Sequence, residues 1–547
     1  MTRNRCLIFI ALAVASAALS GHLNAQTSRL STGAFTTNSE FERYLRALQI
    51  SGRAPLYPWS IRGFSRREIE RLVSIDSTSP WQLRDRFNKS HLAAEALTLG
   101  TTFNSAYPYG YNDGPLWAGR GLTTSVSGGV NGFVGPFSFA IAPMAFSAAN
   151  RPFRLARSAQ PGVNPYADAT YPNLVDWPQR FGNSAYSRLD PGATYLRFDS
   201  RALTVGVSTA NEWIGPATEF PFLLSNNAPG FPHLFVGSGS PWNVGIGQLH
   251  GRLTWGRLDQ SSYSPVTGGP HFISGVERGT VRLMASLEGV FLPRGIPGLE
   301  IGVARWFHVP YLVGEPSSKF WTKPFRVFYL KNEFSRGDSV GTDNQLASIF
   351  FRWAFPRAGL EIYGERGYED QFYDFREFIT NLDHDREYML GLQKVLNERA
   401  SSFDVLRAEV VNYQISTLLY TRSAEGAVYL HSQLSQGHTN RGQLLGAYAG
   451  VGAAAGSVLE WTRYSTAKRS SIALRRILRN QIGSLTTTGV EEPQGSDVIV
   501  ALGVEQFRYG PHVDVGGRIE VMDDLNRDFA NDVGNLNLQL TLRLHAR

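Results

Sequence analysis

From Leu536 to His545 every second residue is leucine. Leu536, Leu538, Leu540, Leu542 and Leu544 alternate with Asn537, Gln539, Thr541, Arg543 and His545. A β-strand sends successive side chains to opposite faces, so this stretch makes one face of leucine and one of polar groups. Its length of about ten residues is what a tilted strand needs to cross the hydrocarbon core of a bilayer. A strand of a soluble sandwich alternates too, since one face packs on a core and the other meets water. Whether these leucines face lipid depends on how many other strands repeat the pattern and on where the chain is sent.

The start of the chain carries an address. Arg3 and Arg5 precede an apolar run from Leu7 to Leu19, and small and polar residues lead to an expected cut after Ala25. That run is too short to span a membrane as a helix, so residues 1–25 are expected to be a cleaved signal peptide. Cys6, the only cysteine, lies inside it. The exported chain then has no disulfide framework and must be stabilised by a large fold. Removing Arg3 and Arg5 lowers the formal charge from +7 to +5. This mild basic excess gives no specific indication of nucleic acid, and none is expected as a partner. No later segment offers around 18 uninterrupted apolar residues, so no membrane helix is expected. With 55 glycines, 12% aromatic residues and a mean hydropathy of −0.19, the exported chain fits an outer-membrane β-barrel of a Gram-negative bacterium. A large secreted all-β protein is the competitor.

Beyond the signal the chain begins helical. Ser39 with Glu42 fits a capping box, followed by Phe41, Tyr44, Leu45 and Leu48 on one face. Ser65 with Glu68 fits another, and Phe64 can staple onto Ile69. Ser79, Pro80 and Gln82 make a third start, with proline at the first helical position. Residues 26–100 are therefore expected to form a small α-helical bundle on the periplasmic side, either a plain folded extension or a seal on the barrel mouth.

From about Thr101 the period changes to two. Phe137, Phe139 and Ile141 form one face, Leu196 and Phe198 another, then Leu203, Val205 and Val207. Ala347, Ile349, Phe351, Trp353 and Phe355 lead to Pro356-Arg357-Ala358-Gly359, a turn signal that reads as a hairpin. Aromatics gathered at strand ends suit the girdles of a membrane barrel. At about 25 residues per strand and connection, residues 101–547 are expected to form an all-β transmembrane barrel of about 18 antiparallel strands. Segments 156–176, 209–245 and 363–387 are too long and polar for turns, and are expected outside or folded into the lumen.

The segment 209–245 holds the best binding candidates. Trp213 offers a flat face for a pyranose ring, and Asn226, Asn227 and His233 offer directional hydrogen bonds suited to sugar hydroxyls. The competing role is structural, because Asn, Pro and Gly also serve tight loops. Arg188, with Arg180 and Asp190, offers charge to an acidic glycan or joins a ladder of paired charges in the lumen. Enzymatic patterns are weaker. Glu361, Glu365 and Asp370 offer paired carboxylates of the kind glycoside hydrolysis uses, but Glu361 and Glu365 share a face expected to be the lumen, where carboxylates are ordinary. His384 lies between Asp383 and Asp385 without a second histidine at ligand spacing, so no metal or cofactor is expected. Neither a Gly-x-Ser-x-Gly elbow nor a phosphate loop is present. Arg475, Arg476 and Arg479 form a basic patch for lipopolysaccharide phosphates, or a solvated loop.

Several segments resemble the Wzi family of capsule-assembly proteins. They are Tyr111-Asn-Asp-Gly-Pro-Leu-Trp-Ala-Gly-Arg-Gly121, Pro178-Gln-Arg-Phe-Gly182 with Tyr186-Ser-Arg-Leu-Asp-Pro-Gly192, and Asn211-Glu-Trp-Ile-Gly-Pro216. Leu224-Ser-Asn-Asn-Ala-Pro-Gly-Phe-Pro-His233 and Gly437-His-Thr-Asn-Arg-Gly-Gln443 complete the set, in the family's order. The resemblance implies an 18-stranded outer-membrane barrel with a periplasmic helical bundle and a lectin-like role in holding capsular polysaccharide. The expected protein is thus not an enzyme. It binds capsular or exopolysaccharide, contacts outer-membrane lipid and lipopolysaccharide, and helps capsule assembly; the alternative is a porin-like transport channel.

Overall fold

The computed structural model describes residues 37–72, 91–266, 281–311, 316, 318–328, 343–369, 379, 386–414, 428–431, 434–482, 495–510 and 512–545. The signal peptide, the helix start at Ser79, Asp370 and the cluster around His384 lie outside them. Twenty-five strands dominate the described chain, and twenty-three of them join in one sheet. From Gly247–Asp259 to Asn531–Leu544 the long strands pair antiparallel, each with the next. The last of them also pairs with Leu97–Asn104, near the start. The sheet begins at His91, earlier than the change of period at Thr101.

The last strand shows which way the faces point. Leu538, Leu540 and Leu544 are exposed, Leu540 at 47%, whereas Asn535 and Asn537 are buried. The same inversion recurs elsewhere. Ile349 is 52% exposed beside buried Ser348, and Ile519 and Val521 are exposed on either side of buried Glu520. A soluble sandwich would bury the leucines and wet the asparagines. Here apolar side chains face out and charged ones face in, the pattern of a sheet surrounded by lipid. No helix among the described residues is long and apolar enough to cross a membrane.

Two helices precede the sheet. Helix α1, Glu40–Ile50, is capped by Ser39, whose hydroxyl accepts the Glu42 N–H at 3.2 Å. The Glu42 carboxylate returns to the N–H of Asn38. Helix α2, Arg66–Leu72, carries the reciprocal box: Glu68 N–H donates to Ser65 Oγ at 3.2 Å and Ser65 N–H to Glu68 Oε2 at 2.7 Å. Phe41, Tyr44, Leu45 and Leu48 are buried against Val395, Phe403 and Tyr464. The opposite face of α1 is buried as well, which the single apolar stripe does not anticipate. Arg46 donates to Glu361 at 2.9 Å, and Gln49 accepts from Arg352, which also pairs with Glu300 and Glu361. Charged partners from the sheet's inner face make burial of that side possible.

Short connections such as 356–359 and 466–467 lie at the α1 end of the sheet, and long ones such as 105–120 and 149–185 at the other. Two expected long connections are shorter than their composition implies. Segment 209–245 contains the strand His233–Gly237, hidden behind Pro232, and Leu360–Glu369 continues past Tyr363.

Candidate functional site

Residues 209–231 turn inwards and occupy the middle of the interior, leaving space beside them. Phe220, Phe222, Leu223 and Leu224 are buried against inward side chains such as Trp306, Phe350 and Tyr363. Glycines on the inner face make room: a Cβ at Gly367 would lie 2.5 Å from the Phe222 ring, and one at Gly456 would lie 2.7 Å from Phe220. The buried carboxylate of Glu409 fixes the segment. It accepts N–H groups from Thr218, Glu219 and Phe220 at 2.8, 2.9 and 2.7 Å, together with the hydroxyls of Thr218 and Tyr363. From the helix end, Ser60 C=O accepts the Gly215 N–H, and Ile61 pairs with Ile214. The interior obstruction is thus largely this inserted segment, with the helices behind it.

This placement decides what the expected site residues can touch. Trp213 is 1% exposed, with the Arg62 guanidinium 4.9 Å from its ring centroid and its Nε1–H on Ala217 C=O, so its face is not open to a sugar. His233 is 5% exposed and sits between Phe231 C=O and Glu212. Burial pushes the Glu212 carboxyl up, but Arg252 and His233 hold it at about 2. The half-buried Asn226 exchanges hydrogen bonds with Thr37. Asn227 donates to Leu444 C=O at 3.2 Å, and its own C=O accepts from Gln443 at 3.1 Å. Arg188 reaches the same glutamine at 3.3 Å. Trp213 is therefore packed within the inserted segment and His233 holds it from the neighbouring strand, while Asn227 and Arg188 meet at Gln443.

Gln443 is on the wall of a cavity of about 500 Å³ at the long-connection end. Four of the motif segments quoted above converge there, through Tyr111 and Trp117, Pro178, Asn227, and Gln443. Half-buried aromatics line it: Tyr109, Tyr111, Trp117, Tyr171, Trp177 and Tyr448. Their placement is rigid. Tyr111 stacks on Tyr448 at 4.6 Å, and Arg475 and Arg518 lie over its ring. Glu219 locks this floor by accepting from Tyr448 and Arg475. Trp117 packs edge-on against Phe181. Aromatic faces with amides at their edges suit the apolar faces and hydroxyls of a sugar. Of these, only Trp117 and Tyr111 stand in motifs quoted above; the others share no local pattern, and their common signal is aromatics within polar connections.

The expected basic patch divides. Arg475 points inward to Glu219 and Glu520, Arg476 is exposed, and Arg479 lines the cavity. Glu361 and Glu365 are buried on the inner face, the former tied to Arg46 and Arg352. Among the described residues no cluster of His, Cys, Asp and Glu is placed to hold a metal.

Asp113, also on the cavity wall, titrates near neutrality. Burial, then the charges of Glu520 and Glu505, push its carboxyl from 3.8 up to about 7. A carboxyl raised in this way favours the fold fully below its unfolded value, and the contribution is lost as pH rises through the folded one. The gain in heat resistance from Asp113→Asn should therefore be small at pH 4, grow through pH 7 and level off by pH 8. Gel-shift melting temperatures across that range test it, and an equal gain at every pH would refute it.

The family model for capsule assembly protein Wzi matches residues 108–525. Among solved structures, the chain is similar to Wzi of Escherichia coli, an outer-membrane, carbohydrate-binding β-barrel involved in group 1 capsule assembly. The identity is 13%, 92% of this chain and 98% of that one are covered, and the TM-score is 0.59. Pseudomonas aeruginosa OccD3 follows at 11% identity, 83% and 91% coverage and a TM-score of 0.39. Acinetobacter baumannii OccAB3 has 10%, 83% and 99%, and also 0.39. No curated protein matches the chain in sequence.

Proposed function

Because this chain belongs to the capsule assembly protein Wzi family, we propose that it is a closed outer-membrane barrel that binds surface polysaccharide and helps capsule assembly or attachment. Four neighbouring strands are each interrupted once: His91–Ala94 with Leu97–Asn104, Gly121–Ser127 with Val130–Val134, Phe137–Ile141 with Met144–Ala148, and Tyr186–Asp190 with Tyr195–Asp199. Taken as four, with Thr204–Ser208, His233–Gly237 and the twelve long strands, they make eighteen. The pairing of Leu97–Asn104 with Asn531–Leu544 supports a closed ring. With the long connections outside the cell, α1 and α2 stand on the periplasmic side, and the outward leucines meet lipid and lipopolysaccharide. Glu361, Glu365 and Glu409 are engaged in structural bonds, which favours a binder over an enzyme.

The observation that carries the reading is the aromatic cavity at the long-connection end. Its charges nearly balance, with Asp113, Asp168, Asp497 and Asp528 against Arg157, Arg479 and Arg527. That balance suits an uncharged stretch of glycan better than a polyanion. Trp117→Ala and Trp177→Ala should each weaken binding of a neutral capsular oligosaccharide about fivefold, since losing a stacking face costs about 1 kcal/mol. Trp213→Ala should instead lower the melting temperature and leave the affinity of folded protein unchanged. Calorimetry on purified protein, beside gel-shift melting, separates these results. Full affinity in folded Trp117 and Trp177 variants would remove the cavity from the site.

A further inference from the structure

The aromatic cavity has a neighbour. A second cavity, of about 450 Å³, lies towards the α1 end and is lined by Thr37, Glu40 and Arg43, by Arg543, and by Asn211 and Asn226 of the inserted segment. Its outer wall is formed at the level where the four strands are interrupted, at Glu95–Ala96, Ser127–Gly128, Ala142 and Gly192–Ala193. Breaks in a ladder bend the strands locally and leave room that a regular wall would fill.

One strip of chain parts the two spaces. Gly110, Tyr111 and Leu116 line the first, Asn112, Gly114 and Pro115 line the second, and Asp113 lines both. Asn227 and Asn226 divide in the same way. The strip is held to the inserted segment by Gly114 N–H on Asn226 C=O at 2.6 Å and by Asn112 on Glu219 C=O at 3.2 Å. We propose that the two cavities are the halves of a path through the lumen for small hydrated cations, closed among the described residues by this strip, with Asp113 at the neck.

The volumes support a wet path, since each cavity has room for on the order of ten water molecules. The first reaches solvent beside exposed Arg157 and Gln160, and the second is bordered at the α1 end by half-buried Ser39, Glu40 and Arg43. Glu520 is paired with Arg475 and Arg518, and Glu505 with Arg469, whereas Asp113 has no cationic partner among the described residues. At pH 8 its own carboxylate is therefore the uncompensated charge at the neck and favours a cation over an anion. Elsewhere the inserted segment is packed with Phe220, Phe222, Leu223 and Leu224 and offers no such room. This inference stands apart from polysaccharide binding and holds or fails without it.

The only cysteine of the chain lies in the expected signal peptide, so a thiol placed at 113 is the only one in the exported protein. In the full exported protein reconstituted in planar bilayers at pH 8, D113C should react with a small cationic methanethiosulfonate from either side. L223C, in the packed part of the segment, should react from neither. D113G should raise conductance several-fold over the unaltered protein and lose cation preference. Heat-modifiable gel mobility identifies folded protein in each case. Reaction of folded D113C from one side only, or from neither, overturns the path, as does D113G conductance equal to that of the unaltered protein.

Discussion

Glu409→Ala should loosen the inserted segment and lower stability by about 3–5 kcal/mol, the usual result of breaking a buried charged network. The carboxylate accepts from three successive backbone N–H groups, at Thr218, Glu219 and Phe220. Each would be left without a partner in a dry interior, at about 1–3 kcal/mol apiece before the segment relaxes. Tyr363 loses its acceptor, and Arg407, which pairs with Glu219 and Glu460, loses a nearby compensating charge. The expected result is a gel-shift transition many degrees lower, with hydrogen exchange at 218–220 rising from protected to near free. Glu409→Gln, which keeps one acceptor oxygen, should fall between the two. A Glu409→Ala protein that melts with the unaltered one would show that apolar packing of Phe220 and Phe222 holds the segment unaided.

Arg352→Leu should detach α1 from the sheet while leaving the sheet intact. This guanidinium reaches Glu300, Glu361 and the side chain of Gln49 from a fully buried position. Without it, Glu300 keeps only the N–H groups of Trp59 and Ser60 and the Ser60 hydroxyl, and Glu361 keeps Arg46 and Gln393. Two buried carboxylates then share too little positive charge, again at about 3–5 kcal/mol. The strain falls on the helix, because α1 joins the sheet through side chains, whereas the strands hold one another by backbone ladders. Limited proteolysis should cut within residues 37–60 of the variant, and heat-modifiable mobility should persist. Resistance to cleavage equal to that of the unaltered protein would place the anchor in the apolar contacts of Tyr44 with Phe403 and Tyr464 instead.

Much of the fold is legible in the chain because period-two alternation and capping boxes are local signals. The outward leucines of the last strand, the hairpin at 356–359 and the two capped helices all follow from neighbours a few residues apart. What escapes is set by distant partners. Arg46 and Gln49 are buried because Glu361 and Arg352 await them, and no helical periodicity reports that. Trp213 reads as a stacking platform on composition, yet Arg62 covers it from another part of the chain. Asn227 and Arg188 are better placed, and only folding reveals that Gln443 joins them. The cavity aromatics come from 109–117, 171–177 and 448, so no window of sequence contains the site.

The meeting of the first and last strands has a bearing on biogenesis. Ser105 donates to Asn535 across a separation of 430 residues, and Leu97 stands opposite Leu544. Until the final strand is made, Leu97–Asn104 has an open edge and the polar interior has an open side. The inserted segment and its partner Glu409 both precede Asn531–Leu544 in the chain, so they are made before the pairing of last strand with first can form. A chain stalled before Asn531 would leave the edges of Leu97–Asn104 and Val513–Arg527 unpaired, the kind of open ladder that invites wrong pairing with another chain.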